Sequence, residues 1–143
     1  MKAIENVDLT PGDFEAREQK TVIHFEEGLT GFSDVKDFNL LENDYLAPFR
    51  LLRAVDDPDV GFLVLDATAR VDDYCHLIPL REWKSLGVTN PEDYLAFITV
   101  VLGATAEEST GNLQAPLLVN HQKMTGKQII LTDSGFSVRE PLL

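Results

Sequence analysis

A chain of 143 residues with 44% apolar and 25% charged side chains has the balance of one ordinary globular domain, long enough to bury a core without a metal or a disulfide. Twenty-four Asp and Glu against twelve Lys and Arg leave a net charge of −12, which argues against direct contact with nucleic-acid phosphate or an anionic membrane. The apolar runs are too short to span a bilayer and the N-terminus has no apolar signal core; a single cysteine, Cys75, points to a reducing cytoplasm.

In chain order, residues 1–20 are polar and turn-prone around Pro11-Gly12, so this end is expected to be mobile or divergent. Thr21 to Phe25 is β-branched and aromatic and reads as a strand. Phe38, Leu40 and Leu41 mark a second strand, and Phe49 to Val55 a third. Asp56-Asp57-Pro58-Asp59 is a strong turn, because Pro58 fixes φ and aspartates bond nearby backbone N–H groups. Val60 to Leu65 follows as a hairpin partner, apolar enough to be buried on both faces. Tyr74 to Ile78 is a further candidate strand. Leu80, Trp83 and Leu86 recur at three-residue spacing and predict a helix that Gly87 stops. Asn90-Pro91-Glu92-Asp93 reads as a cap, an N1 proline and two first-turn acids.

Tyr94 to Leu102 is the longest strand candidate. Leu113 to Asn120 and Lys127 to Leu131 are expected as strands joined by a loop at Lys123–Gly126, with Pro116 marking an edge or a bulge. The pattern is mainly β: a compact antiparallel barrel or sandwich with one or two short helices, one domain over residues 1–143.

The chain carries no Gly-x-Ser-x-Gly elbow, phosphate-binding glycine loop or Cys-x-x-Cys pair. Cys75 and His76, adjacent on a strand, would face opposite sides, and His24, His76 and His121 match no zinc spacing. Asp56, Asp57, Asp59, Asp72 and Asp73 offer carboxylates, but without the alternation, glycine bend and late Glu of a calcium loop. Solvated turns used in recognition are the favoured reading of these acids. A metal-binding or hydrolytic β-domain built on them is the rival. The charge is also uneven: residues 1–74 hold 17 acidic and 7 basic side chains, residues 75–143 hold 7 and 5.

Several segments together resemble one family. Phe25-Glu26-Glu27-Gly28-Leu29-Thr30-Gly31-Phe32 is similar to the Phe-Pro-x-Gly-Ile-Pro-Gly-Phe signature of the FliW flagellar assembly factors. Pro48 to Asp59 resembles their Pro-Phe-x-x-Leu-x-Ser-Val-Asp-Asp-Pro stretch, and Asn112 to Asn120 their Asn-Leu-x-Ala-Pro strand. Gly126 to Leu131, Arg139 and Pro141-Leu142 match the end, so the likeness runs in one order over about residues 21–142. Glu26 and Thr30 depart from it, standing where the family commonly has prolines. Gly28 and Gly31 are read as positive-φ positions that let Phe25 and Phe32 both turn inward.

The resemblance implies a cytoplasmic, monomeric, non-enzymatic protein without a cofactor. Its implied partners are flagellin and the RNA-binding translational repressor CsrA, with no direct contact to nucleic acid or membrane. Binding CsrA would relieve repression of flagellin synthesis, and free flagellin would titrate the factor away. A general export chaperone without the RNA regulator is the alternative within this class. The acidity suits a basic, RNA-gripping partner, and Glu26, Glu27, Asp56, Asp57, Asp59, Asp72 and Asp73 are expected to supply the field.

Overall fold

The computed structural model describes residues 21–142, so the expectation for residues 1–20 lies outside the described part. Strands β1 (Thr21–Phe25), β2 (Asp37–Leu41), β3 (Arg50–Ala54) and β4 (Gly61–Asp66) form an antiparallel meander. After β4 come two 3-10 turns (Ala67–Ala69, Tyr74–Leu77), helix α1 (Leu80–Ser85) and a third 3-10 turn (Pro91–Asp93). Then follow β5 (Ala96–Val101), β6 (Thr110–Gly111), β7 (Leu117–Asn120), β8 (Thr125–Gln128) and β9 (Glu140–Pro141). The hydrogen-bonded order is β4-β3-β2-β1-β8-β7-β5-β6-β9, and β4 also pairs with β5. That last pairing closes seven strands into a barrel, with β6 and β9 continuing from β5 outside it. The protein is therefore mainly β, and of the two architectures the sequence allowed the barrel is the one adopted.

The two-sided burial of β4 follows from two cores. Phe62 and Val64 point into the barrel with Ile23, Phe25, Phe38, Leu52, Phe97 and Leu117. Leu63 and Leu65 face outward, yet are covered by the segment carrying Tyr74, Ile78, Trp83 and Val88. Edge-to-face contacts of Phe25 on Phe38 and Phe32 on Phe62, at 5.8 and 5.4 Å, fill the lumen beneath the 26–36 loop. α1 is held to the outer core by Trp83, which is fully buried, stacks on Tyr94 at 4.3 Å and donates Nε1–H to the Cys75 carbonyl at 3.1 Å. Gly87 ends it in the left-handed region at φ +83°, as its place after Leu86 predicts.

Three expectations are corrected. Tyr74–Leu77 is a 3-10 turn and not a strand: the His76 N–H bonds the Asp73 carbonyl and the Ile78 N–H that of Cys75. Tyr74 and Cys75 are both buried, while His76 is exposed. The 113–120 run is strand only from Leu117, because Asn112 Oδ1 accepts the N–H groups of Gln114 and Ala115 and turns the chain first. Pro116 thus precedes β7, an internal strand between β5 and β8. The loop between β7 and β8 lies two residues earlier than expected: Asn120 Oδ1 accepts the Gln122 and Lys123 N–H groups and starts it. Gly126 belongs to β8, where a Cβ would stand 2.6 Å from a Phe25 ring atom, so close packing and not turning demands the glycine.

Candidate functional site

Strand direction decides which acids meet. β1 ends, β2 begins, β3 ends and β4 begins at one end of the barrel. Glu26 and Glu27 leave β1 there, Asp34 and Asp37 lead into β2, and Asp56, Asp57 and Asp59 form the β3–β4 turn. Backbone bonds join the row: Phe25 N–H to the Lys36 carbonyl at 2.7 Å, and Val55 N–H to the Asp37 carbonyl at 3.0 Å. Neighbouring strands lie about 4.8 Å apart, so the ends of β1 and β3 from which these acids leave lie roughly 10 Å apart, about one Debye length at 0.1 M salt. All seven of these acids are exposed.

Each turn is built locally. Asp57 Oδ1 accepts the Asp59 N–H at 3.1 Å and the Asp57 carbonyl accepts Val60 N–H, so one aspartate folds the turn while Asp56 and Asp59 project from it. Gly28 and Gly31 take φ of +67° and +85°, as their spacing predicts, and a Cβ on Gly28 would stand 2.6 Å from Ser33 backbone. The departures from the family prolines have work here. Thr30 donates its backbone N–H to Gln128 Oε1 at 2.8 Å, a bond no proline can give, and Gln128 Nε2 donates to the Ala115 carbonyl. Glu26 accepts from His24 Nε2 at 2.8 Å, and its carbonyl accepts from Lys36 Nζ at 2.6 Å.

Asp72 and Asp73 stand elsewhere. They follow β4 by way of the Ala67–Ala69 turn, and β4's six residues span about 20 Å. The seven acids chosen from the sequence therefore divide into five at one barrel end and two beyond the other end of β4. Sequence reasoning missed Asp34 and Asp37, which join the five only through the β1–β2 register; the signal was present as two further acids beside a strand start.

His24 lies at the base of this end, with Nδ1 2.7 Å from Asp37 Oδ1 and Nε2 2.8 Å from Glu26 Oε1. The hydrogen bond to Glu26, then that to Asp37, raises its pKa above the usual 6.5; the same contact, with Lys36 nearby, lowers Glu26 below 4.5. A raised His contributes stability that is complete below pH 6.5 and lost as pH rises through its folded pKa. The lowered Glu26 contributes above pH 4.5 and loses it as pH falls through its own folded value. Both contributions overlap fully between pH 4.5 and 6.5. An NMR titration of His24 is expected to give a midpoint above 6.5 that drops in Glu26→Gln. An unmoved midpoint would remove the pair.

Burial, with Asp66 nearby, pushes the Cys75 thiol up to about 11, so it is a packed side chain at neutral pH. No group of three or more His, Cys, Asp or Glu among the described residues is arranged to hold a metal. An open cleft of about 590 Å³ is lined by Thr99, Glu108, Asn112 and Arg139, and a more apolar one of about 480 Å³ by Phe49, Leu65, Leu102 and Leu142. None of the seven acids lines either cleft. No helix among the described residues is long and apolar enough to cross a membrane.

The profile of the family described as FliW protein matches residues 9–142. The chain is 33% identical over 126 residues to the "Flagellar assembly factor FliW" of Caldanaerobacter subterraneus subsp. tengcongensis, covering 87% of this chain and 84% of that one. It is 32% identical to the protein of that name from Clostridium beijerinckii, covering 88% and 89%. The fold matches a crystal structure of the flagellar assembly factor FliW with a TM-score of 0.77 and 26% identity, over 96% of this chain and 90% of that one.

Proposed function

Because the chain belongs to the FliW family, we propose that it is a flagellar assembly factor that binds flagellin and the repressor CsrA in alternation. It works in the cytoplasm as a monomer and relieves repression of flagellin translation when flagellin is scarce. The observation that carries this reading is the joining of seven exposed acids from the β1–β2 and β3–β4 connections at one barrel end. Such a field attracts a basic, RNA-gripping surface and repels RNA phosphate once docked. Lys36 and His24 are set into this row, and both are bonded to Glu26. Asp56 and Asp59 form no ion pair among the described residues, so no neighbouring cation offsets them.

Calorimetric titration of the purified protein with CsrA and with flagellin tests this directly. Saturable binding to each is expected, with flagellin abolishing the CsrA signal. Absence of binding to both would overturn the reading.

A further inference from the structure

Leu77 and Leu80 flank Pro79 on the outer side of the 74–85 segment and are 51% and 62% exposed. Ile78 and Trp83, between and after them, are buried, so packing is done by one side of this segment and leaves the two leucines bare. Arg81 and Lys84 continue the exposed side along α1. A third cation arrives from another element. Asn120 Nδ2 donates to the Leu86 carbonyl at 3.0 Å while its Oδ1 organises the β7–β8 turn, and this pins the turn against the end of α1. Lys123 Nζ thereby lies 3.7 Å from where a Cβ on Gly87 would stand.

These cations are unusual in so acidic a chain. Arg50, Arg70 and Lys127 are paired with Glu42, Glu140 and Glu82. Lys84 and Lys123 form no ion pair among the described residues, and Arg81 reaches Glu82 only at 4.0 Å. Of the three, only Lys84 stands in the last turn of α1 and Arg81 stands in its first, so compensation of the helix dipole does not account for the set. On the other side, Asp72 and Asp73 precede the leucines. Along the chain this exposed segment thus runs from acids through exposed leucines to cations.

We propose that this face is a second docking surface, separate from the acidic barrel end, and that it takes an acidic amphipathic segment of a partner protein. Apolar side chains of that segment cover Leu77 and Leu80, and its carboxylates lie toward Arg81, Lys84 and Lys123. Asp72 and Asp73 fix its direction by repelling carboxylates at the opposite end. A basic partner surface is disfavoured here for the reason it is favoured at the barrel end. The inference rests on this local geometry and stands whether or not CsrA binds the acids.

The test is an NMR titration of the isotope-labelled full chain at low ionic strength. One probe is a synthetic helical peptide of Leu and Glu; the other is the same peptide with Lys in place of Glu. The acidic peptide is expected to shift amides of residues 76–87 and 121–123 saturably, and the basic one to leave them in place. Arg81→Glu with Lys84→Glu should weaken the acidic peptide at least about fivefold, and Leu80→Ser should also weaken it, while Asp56→Lys leaves its affinity within about twofold. Circular dichroism checks that each variant is folded. Equal shifts from both peptides, shifts elsewhere, or undiminished binding by the folded double variant would overturn the proposal.

Discussion

Replacing Trp83 by alanine is expected to destabilise the protein by about 3–5 kcal/mol. The side chain is fully buried, stacked against Tyr94, and bonded to the Cys75 carbonyl. Removing it opens a cavity in the outer core, strips one face of Tyr94 and leaves the Cys75 carbonyl with only the longer bond from the Ile78 N–H. It also removes the anchor of α1, so the covering over Leu63 and Leu65 loosens with it. Trp83→Phe keeps much of the volume and gives up the N–H donor, so its smaller loss separates packing from the bond, worth about 1 kcal/mol. Urea unfolding followed by far-ultraviolet circular dichroism is the measurement, since Trp83 is the one tryptophan and fluorescence disappears with it. A loss under about 1 kcal/mol would show that α1 is not held by this residue.

Converting Asp56, Asp57 and Asp59 together to lysine is expected to weaken binding to CsrA at least about tenfold at low ionic strength. Two units at each of three positions move the net charge from −12 to −6, all of it at one turn. Screening should shrink the difference to under about threefold near 0.5 M salt, where the Debye length falls to about 4 Å. The Asp57 Oδ1 bond to Asp59 N–H is lost as well, so Asp57→Asn with Asp56→Lys and Asp59→Lys is the companion variant that keeps an acceptor for the turn. The same changes at Asp72 and Asp73, which lie past the other end of β4, should matter much less. Equal affinity of wild type and variant at low salt would remove the turn from the interface.

The sequence made some of this legible and hid the rest for physical reasons. β-branching and short apolar runs located β1 to β5, and Pro58 with its aspartates located the β3–β4 turn, because those signals act within a few residues. The two-sided apolarity of Val60 to Leu65 was readable as double burial, though not what covered its outer face. Tyr74 to Ile78 misled because a short apolar run fits a strand or a 3-10 turn equally; the side chain of Trp83, eight residues on, completes that turn. Gly126 misled because a glycine for close approach to Phe25 looks the same as a glycine for a turn. The acids were visible as types, but their grouping depends on strand direction and register. Those alone bring Asp37 beside Val55 and carry Asp72 and Asp73 away. The approach of Lys123 to the end of α1 is also a tertiary product, since Asn120 connects two elements 34 positions apart.

The central claim is that the acidic barrel end draws CsrA off its RNA until flagellin takes the protein away. Its most direct measurement is fluorescence anisotropy of a labelled flagellin-leader RNA bound to CsrA, with this protein titrated in and flagellin then added. The account predicts that anisotropy falls to the free-RNA value, that flagellin restores it, and that the triple lysine variant needs at least about tenfold more protein to lower it. RNA that stays bound at saturating wild-type protein, in low salt, would contradict it.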